Sequence, residues 1–323
     1  MTDVILHIGP HKTGTSAIQS YLDRHHDRLL AAGVDFPMLG RAENGFPSHR
    51  HFAALFRMAG NELPPLGFAA RVAEGVSTAP LAILSSEDFY YCSTRIAMKR
   101  VHKRIGVPKQ VIAYLRQPTG HLLSLWREGL KQTVTTSLRG FSKAQMRALS
   151  NPNRFAYFRM QANFAVWDRL CPVTVIPFGG DDLVGGFFQA CGLSDLYLQD
   201  ESETENVGAE DSVVICQLMA NRALAGDKLS RNDYKWLKQR LRDPRAAEAL
   251  RPIEPHIERR EEDLSTFLAR CRAHNPAFAE AWEGSAESLT VPVGIDGVIL
   301  KDVTALLQNL EPAPAVWPTE SVS

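Results

Sequence analysis

The chain begins with a strand, a glycine-bearing turn and a helix in immediate succession. Val4, Ile5 and Leu6 form a short apolar run, and the turn 9–16 separates this run from an amphipathic helical pattern. The backbone N–H groups of such a turn and of the first helical turn have no intrahelical acceptors, and the helix dipole adds positive potential there. The start of the chain therefore predicts an anion site for phosphate or sulfate.

The position of the lysine distinguishes this turn from the loop of the nucleotide triphosphatases. In the pattern G-x-x-x-x-G-K-[ST] the lysine directly follows the second glycine, where it and the next hydroxyl arrange the γ-phosphate and Mg²⁺. Here Gly9 and Gly14 keep the glycine spacing, but Thr15 takes the lysine's place and Lys12 lies two residues before Gly14. The spacing therefore predicts an anion cradle whose charge comes from a lysine on the loop itself.

A second strand, turn and helix follows further along the chain. The apolar run 111–115 ends at Arg116, Pro118 follows, and residues 121–131 show helical periodicity. A guanidinium at the end of the strand and the hydroxyl of Ser124 in the helix can converge on one anion. This segment predicts a second anion site.

The two elements together resemble the sulfotransferases that use 3′-phosphoadenosine 5′-phosphosulfate (PAPS) as donor. In that family a loop with a lysine in this place holds the 5′-phosphosulfate. The 3′-phosphate site has an arginine, a proline two residues later, a serine eight residues later and an aromatic residue at ten, as do Arg116, Pro118, Ser124 and Trp126. Trp126 is interpreted as a packing residue, since its neighbours on the helix are apolar.

The resemblance covers residues 1–200 and implies a donor site without a required metal. The implied donor-binding residues are Pro10, His11, Lys12, Thr13, Gly14, Thr15, Ser16, Arg116 and Ser124. The family's Phe-Glu-x-Leu step corresponds to residues 178–183, where the glutamate is missing. The product nucleotide would be adenosine 3′,5′-bisphosphate (PAP).

Sulfuryl transfer requires stabilisation of the leaving phosphate and removal of a proton from the acceptor. Lys12 would stabilise the charge on the leaving phosphate. The resemblance gives two positions for the base, one at His49 or His51 and the other at Glu87, which follows the apolar run 81–84. We favour His51, because imidazole is an uncharged base near neutral pH, with Glu87 close behind and His49 less favoured. Glu87 and His51 could also act together, the carboxylate orienting the imidazole.

The order of apolar runs and helical patterns predicts an α/β protein. We expect a three-layer P-loop-like fold, with a central, mainly parallel sheet flanked by helices, and a helical C-terminal extension. Residues 1–200 would form the PAPS-binding core, and residues 201–323 an extension packed on it rather than an independent domain. Segment 199–210 is interpreted as a boundary or lid, and the predicted helices include 15–32, 153–170, the charged span 211–272 and 298–310.

Composition narrows the class of partner. The formal net charge is zero, which argues against a broad nucleic-acid surface, and the five scattered cysteines include no C-x-x-C pair. No leader or membrane span is evident, so a cytoplasmic location is expected. The acceptor would be a small molecule, a saccharide or a lipid headgroup, and the oligomeric state stays open. Two alternatives remain: a P-loop small-molecule kinase, in which Glu87 would position Mg²⁺, and a non-catalytic nucleotide-binding protein.

Overall fold

The structure is a computed structural model of the chain. It describes residues 2–41, 47–57, 66–151, 155–180, 182–199, 210–298, 300–308 and 310. The strands are β1 Asp3–His7, β2 Val34–Asp35, β3 Leu81–Ser85, β4 Gln110–Leu115, β5 Val173–Pro177, β6 Ile257–Asp263 and β7 Ser288–Ile295. The α-helices are α1 Thr15–Arg24, α2 His26–Ala31, α3 Arg50–Arg57, α4 Phe68–Glu74, α5 Arg95–Ile105, α6 Pro118–Leu130, α7 Leu138–Leu149, α8 Met160–Asp168, α9 Leu183–Ala190, α10 Asp211–Ala225, α11 Arg231–Arg240, α12 Ala246–Ala249, α13 Ser265–His274 and α14 Leu300–Gln308.

The described chain forms two compact units, each built from three segments. The first comprises Met1–His121, Ala148–Thr204 and Ala269–Ser285, and the second comprises Leu122–Arg147, Glu205–Leu268 and Ala286–Ser323. The predicted core boundary at residue 200 lies outside the described residues, as does most of the predicted lid 199–210. The division into a core and an extension therefore stays a prediction.

The first unit contains a five-stranded parallel sheet in the order β2-β3-β1-β4-β5. With its flanking helices it gives the α/β class that the sequence predicts, compatible with a three-layer P-loop-like fold. β1 lies at the centre, paired with β3 on one side and with β4 on the other. The carboxyl ends of these three neighbouring strands meet at one edge, which is where ligands bind in open parallel sheets.

The core of the first unit follows from strand alternation. Ile5, Ile83 and Ile112 belong to one cluster of buried residues, together with apolar side chains of α1, α2 and α9. Leu6 and Leu84, the next residues along β1 and β3, point to the opposite face and are also fully buried. Strands buried on both faces are continuous apolar runs, which is why their positions could be predicted from the sequence.

The second unit is built around α10, which is buried along most of its length. A further feature is the C-terminal end of α6, where the carbonyls of Leu130 and Gln132 accept hydrogen bonds from Lys238 Nζ. Burial lowers the pKa of Lys238 to about 8. The last carbonyls of a helix have no intrahelical donors, so this lysine satisfies groups that would otherwise lose their hydrogen bonds on burial.

The prediction of a helical span 211–272 is wrong for its charged part. Residues Ile257–Asp263 form β6, which pairs antiparallel with β7, and the four residues between Ile257 and Glu262 are exposed. A strand whose charged side chains are exposed on both faces carries no apolar period of two, so it resembles a solvated helix in sequence. The apolar residues that favour a strand lie in β7, such as Val291 and Val293.

Three helix predictions also need correction at their bounds. The span 15–32 is two helices separated at His25, the described part of the span 153–170 contains one helix, over Met160–Asp168, and α14 is shorter than 298–310. The helix α7 was not predicted. Among the residues that the structure describes, no helix is both long enough and apolar enough to cross a membrane.

Candidate functional site

The loop after β1 has a strained backbone with an open helix end. Lys12 has φ +67°, in the left-handed region that side chains other than glycine rarely adopt, and the Thr13 hydroxyl donates to the carbonyl of Pro10 at 2.6 Å. Gly14 caps α1 with φ +78° and offers no side-chain acceptor, and the first turn of α1 carries no acidic residue. The first turn of α1 itself therefore supplies no side-chain anion that would compete for its N–H groups.

Gly14 is fixed by packing as well as by backbone conformation. A Cβ added to Gly14 would lie 2.2 Å from Cδ2 of Leu183, the first residue of α9. The helix that follows β5 therefore closes against the loop. The predicted Phe-Glu-x-Leu equivalent contributes its leucine to this contact even though its glutamate is missing.

Arg116 joins the second sequence motif to the first. Its Nη1 donates to the carbonyl oxygen of Lys12 at 2.8 Å, across 104 residues of sequence, and its guanidinium lies 4.8 Å over the ring of Phe178. Burial lowers the pKa of Arg116. Among the described residues it has no carboxylate partner, so a half-buried cation stands beside the loop without a counter-ion. Such a cation favours an anionic ligand.

The carbonyl of His11 is held by two further side chains. Nε2 of His121 donates to it at 2.7 Å and the Tyr157 hydroxyl donates at 2.9 Å. Both side chains are buried, and burial lowers the pKa of His121 to about 3, so the imidazole is neutral in the folded protein at neutral pH. The loop is thus fixed through its backbone oxygens by residues outside it.

An acidic edge lies beside the loop, at the end of β3. The hydroxyl of Ser86 accepts from the N–H of Asp88 and caps a short 3-10 helix, Glu87–Tyr91. Nδ1 of His11 lies 2.9 Å from Oε2 of Glu87, and Nε of Arg50 lies 3.1 Å from Oδ2 of Asp88. The order of the strands places Glu87, the loop and Arg116 on neighbouring strand ends.

His49 holds the acidic edge in place. It is fully buried, its Nε2 donates to the carbonyl of Pro37 at 2.8 Å, and its Nδ1 accepts from the N–H of Ser85 at 3.1 Å. Its own N–H donates to the carbonyl of Ser85. Burial lowers the pKa of His49 to about 3. With both ring nitrogens bonded to backbone groups, His49 is placed to position the residues before Glu87 rather than to accept a proton.

The other residues chosen from the sequence are placed as follows. The ring of His51 lies 5.8 Å from the ring of Phe68 in α4. Ser16 is half-buried in the first turn of α1. Ser124 lies in α6 beyond the end of the first unit, and its part in an anion site stays a prediction. Trp126 is fully buried and donates from Nε1 to the carbonyl of Thr136, as expected of a packing residue.

Three buried polar atoms near the loop have no hydrogen-bond partner among the described residues. They are Oγ1 of Thr15, Nε2 of His7 and Nδ1 of His121. A Cβ on Gly9 would lie 3.1 Å from the first and 3.2 Å from the second, so the glycine leaves space beside both. A buried polar atom without a partner costs free energy, and a ligand oxygen at the loop would offer one.

Several residues of this site were not chosen from the sequence. His121 stands in the first turn of α6 and Tyr157 in a turn before α8, where no periodic pattern marks them. Their connection to the loop depends on contacts between residues distant in sequence. The ion pair of Arg50 and Asp88 could be anticipated in part from the sequence, because Asp88 follows Glu87 and Arg50 lies between the two candidate histidines.

Comparison with known proteins adds no family assignment. No protein-family model matches the chain, and no curated protein matches it.

Proposed function

We propose that this chain is a sulfotransferase that transfers a sulfuryl group from PAPS to a hydroxyl or amine of an acceptor. The observation that carries the proposal is the hydrogen bond from Arg116 to the Lys12 carbonyl, which joins the arginine of the second motif to the loop of the first. Their individual spacings resemble one family, and that family needs both motifs at one nucleotide.

The proposed donor site fits the chemistry of a nucleotide with two phosphate groups. The uncapped N-terminus of α1, with the unpaired hydroxyl of Thr15, suits the 5′-phosphosulfate, and Arg116 suits the 3′-phosphate. PAPS supplies the sulfuryl group, and Lys12 would stabilise the charge that develops on the phosphate oxygen as it leaves. The absence of a metal requirement is part of the same proposal.

The contacts of the loop favour Glu87 over His51 as the group that takes the proton from the acceptor hydroxyl. Glu87 is bonded to a loop residue, whereas the His51 ring packs against α4. The proton acceptor must lie within hydrogen-bond reach of the acceptor hydroxyl, close to the reacting sulfur. Glu87 meets this condition because it lies beside the loop, bonded to His11.

An aromatic surface next to Glu87 supports an acceptor that contains a ring. Tyr91 lies 5.5 Å from the His11 ring and 5.1 Å from the ring of Phe155, which is 41 % exposed. The Arg57 guanidinium lies 5.2 Å over the Tyr91 ring. Aromatic faces bind sugar and phenol rings, and an arginine beside them suits an acidic substituent. We therefore favour a saccharide over a lipid headgroup.

Replacement of Phe155 tests this acceptor surface. We expect Phe155→Ala to raise KM for the acceptor by about 3- to 10-fold, the loss of one aromatic contact, and to leave PAP affinity unchanged. Ile96→Ala removes an apolar side chain that is exposed elsewhere, on α5, and serves as the control. An unchanged acceptor KM, measured with sugars, phenols and phosphoglycerol, would remove Phe155 from the acceptor site.

The proposed function is tested by ligand-induced stabilisation and by transfer of labelled sulfate. PAP at 100 times its Kd is expected to stabilise the chain by about 2.7 kcal/mol, which raises Tm by a few degrees. Adenosine 5′-phosphate, which lacks only the 3′-phosphate, should bind more weakly. PAPS with radiolabelled sulfur should then label one class in an acceptor panel. The expected cytoplasmic location is tested separately by fractionation of cells that produce the chain.

The alternatives give different results in the same assays. Stabilisation by ATP with Mg²⁺ and none by PAP would identify a kinase and contradict the proposal. Tight binding of PAP with no transfer to any hydroxyl or amine would identify a non-catalytic nucleotide-binding protein.

A further inference from the structure

His7, the last residue of β1, is a buried histidine at the base of the loop. Its side chain is fully buried, and its ring centroid lies 5.9 Å from that of Tyr114 and 5.3 Å from that of Phe187. Burial lowers the pKa of His7 to about 3, so the imidazole is neutral at neutral pH and carries one ring N–H. The nitrogen that carries this hydrogen decides what His7 can bind.

Two buried side chains fix the tautomer of His7. Gln19 Nε2 donates to the carbonyl oxygen of Ser85 at 3.2 Å and to Ser85 Oγ at 3.0 Å. The Ser85 hydroxyl therefore already accepts one hydrogen bond, and its own hydrogen is left for His7 Nδ1, which lies 2.9 Å away. The reverse direction would leave the hydroxyl hydrogen buried without an acceptor. The ring hydrogen of His7 is consequently on Nε2.

The Nε2–H group of His7 and the hydroxyl of Thr15 have no hydrogen-bond partner among the described residues. Both lie against the loop glycine, since a Cβ added to Gly9 would be 3.2 Å from His7 Nε2 and 3.1 Å from Thr15 Oγ1. The Thr13 hydroxyl lies 2.9 Å from the same position, but it already donates to the carbonyl of Pro10. Two buried donors without an acceptor thus meet at one place in the loop.

We propose that His7 is a donor-binding residue, whose Nε2–H group and the Thr15 hydroxyl together donate to one oxygen of the nucleotide's 5′-phosphate. The inference rests on the proposed function, because PAPS and PAP both carry that phosphate. An oxygen bound there gives both buried groups the hydrogen-bond partner that they lack in the free protein. Thr15 is the first residue of α1, so the same oxygen lies at the helix N-terminus.

A phosphate oxygen suits these two donors better than a water molecule does. A water oxygen could accept the same two hydrogen bonds, but both of its own hydrogens would then need buried acceptors. A phosphate oxygen brings no hydrogen, and its charge strengthens each bond that it accepts. His7 therefore adds a neutral donor from the sheet to the positive charge of Lys12 on the loop.

The first experiment uses the unaltered protein. Proton–nitrogen correlation NMR of ring-labelled histidine distinguishes the two tautomers, and His7→Gln assigns the signal. We expect His7 to carry its hydrogen on Nε2, and the Nε2–H proton to move downfield as PAP saturates the site, because it then bonds to a charged oxygen. A hydrogen on Nδ1 would overturn the proposal. An Nε2–H signal that PAP does not move would also overturn it, and would identify a bound water only.

The second experiment compares PAP with adenosine 3′-phosphate, which lacks only the 5′-phosphate. His7→Asn keeps an acceptor for the Ser85 hydroxyl but has no group at the position of Nε2, so the Kd of PAP should rise by about 10-fold. The Kd of adenosine 3′-phosphate should change by less than about 2-fold. His7→Gln, whose longer side chain carries an amide N–H, should recover part of the PAP affinity. Equal loss of both nucleotides would overturn the proposal, since His7 would then only support the loop.

Thr15→Val tests the second donor. It replaces a hydroxyl that has no partner among the described residues by a methyl group of similar size, so the free energy of unfolding without ligand should not fall. The Kd of PAP should nevertheless rise by about 10-fold. Thr78→Val, an exposed position before β3, is the matched control and should change neither quantity. Lower stability with unchanged PAP affinity would contradict the shared oxygen.

PAP binding by the wild type distinguishes failure of this inference from failure of the proposed function. A wild type that PAP does not stabilise contradicts the proposed function itself. If PAP binds, and His7→Asn and Thr15→Val keep the wild-type preference for PAP over adenosine 3′-phosphate, only the assignment of these two donors is wrong.

Discussion

Lys12→Ala is expected to lower kcat for sulfuryl transfer by about 100- to 1,000-fold, the cost of removing one group that stabilises charge in a transition state. The affinity for PAP should change by less than about 10-fold, because the loop N–H groups and Arg116 would still hold the nucleotide. The lysine matters most when the phosphate oxygen gains charge, and an interaction made mainly at that point lowers the barrier rather than Kd.

Arg116→Ala should have the opposite effect, weakening the binding of PAP more than it lowers kcat. We expect the Kd of PAP to rise by about 10- to 100-fold, the value of hydrogen bonds to a charged group, while kcat at saturation falls less. Because Arg116 also holds the Lys12 carbonyl, the preference for PAP over adenosine 5′-phosphate is the sharper readout. If the preference for PAP is lost, Arg116 binds the 3′-phosphate. If the affinities for PAP and for adenosine 5′-phosphate fall equally, the substitution has only disturbed the loop.

Two variants control this comparison. Arg116→Lys keeps the charge but loses the planar fork, so it should recover only part of the affinity. Lys109→Ala removes an exposed lysine paired with Asp3 at the opposite end of the strands and should change neither constant. Equal effects of Lys12→Ala and Arg116→Ala on PAP affinity would contradict the division of roles.

Stability should fall steeply as the pH drops below about 6.5, the unperturbed pKa of histidine. His7, His49 and His121 are fully buried, and burial lowers the pKa of each to about 3. Between these two pH values the unfolded chain binds protons that the folded chain does not, so acid favours unfolding. Each histidine contributes a slope of about 1.4 kcal/mol per pH unit, and their sum is large against a stability of about 5–15 kcal/mol.

Urea unfolding at pH 7.5, 6.5 and 5.5 measures this slope. His49→Gln can still donate to Pro37 and accept from Ser85, but it has no titrating group, so the slope should fall by about one proton. His102→Gln, exposed on α5, should leave the slope as it is in the wild type. A stability that stays constant from pH 7.5 to 5.5 would contradict neutral burial of the three imidazoles.

The sequence predicted most of the sheet and the edge at which the ends of its strands meet, for a definite reason. Parallel strands buried on both faces are apolar runs, so β1, β3, β4 and β5 could be located, and the turns that follow them had to meet at one edge. Strand β6 was missed because its exposed residues are charged. Strand order, which places the end of β3 beside β1, depends on pairing between distant segments.

The role of His49 shows why site residues are harder to assign than strands. From the sequence, His49 and His51 are two imidazoles in one loop and compete for one task. Their difference arises from burial and from backbone groups of Pro37 and Ser85, which the local sequence does not specify. The contact between His11 and Glu87 likewise joins two residues from separate segments of the chain.

The loop carbonyls of His11 and Lys12 are held by Arg116, His121 and Tyr157, so the backbone at these two positions is held by residues outside the loop rather than by the side chains of His11 and Lys12. The side chain at position 11 is consequently the part that can be exchanged. Under the proposed function, substitution there would alter the acceptor chemistry while the donor nucleotide binds to the same backbone. For protein engineering, position 11 is therefore a place where the side chain can be changed while residues outside the loop hold the backbone.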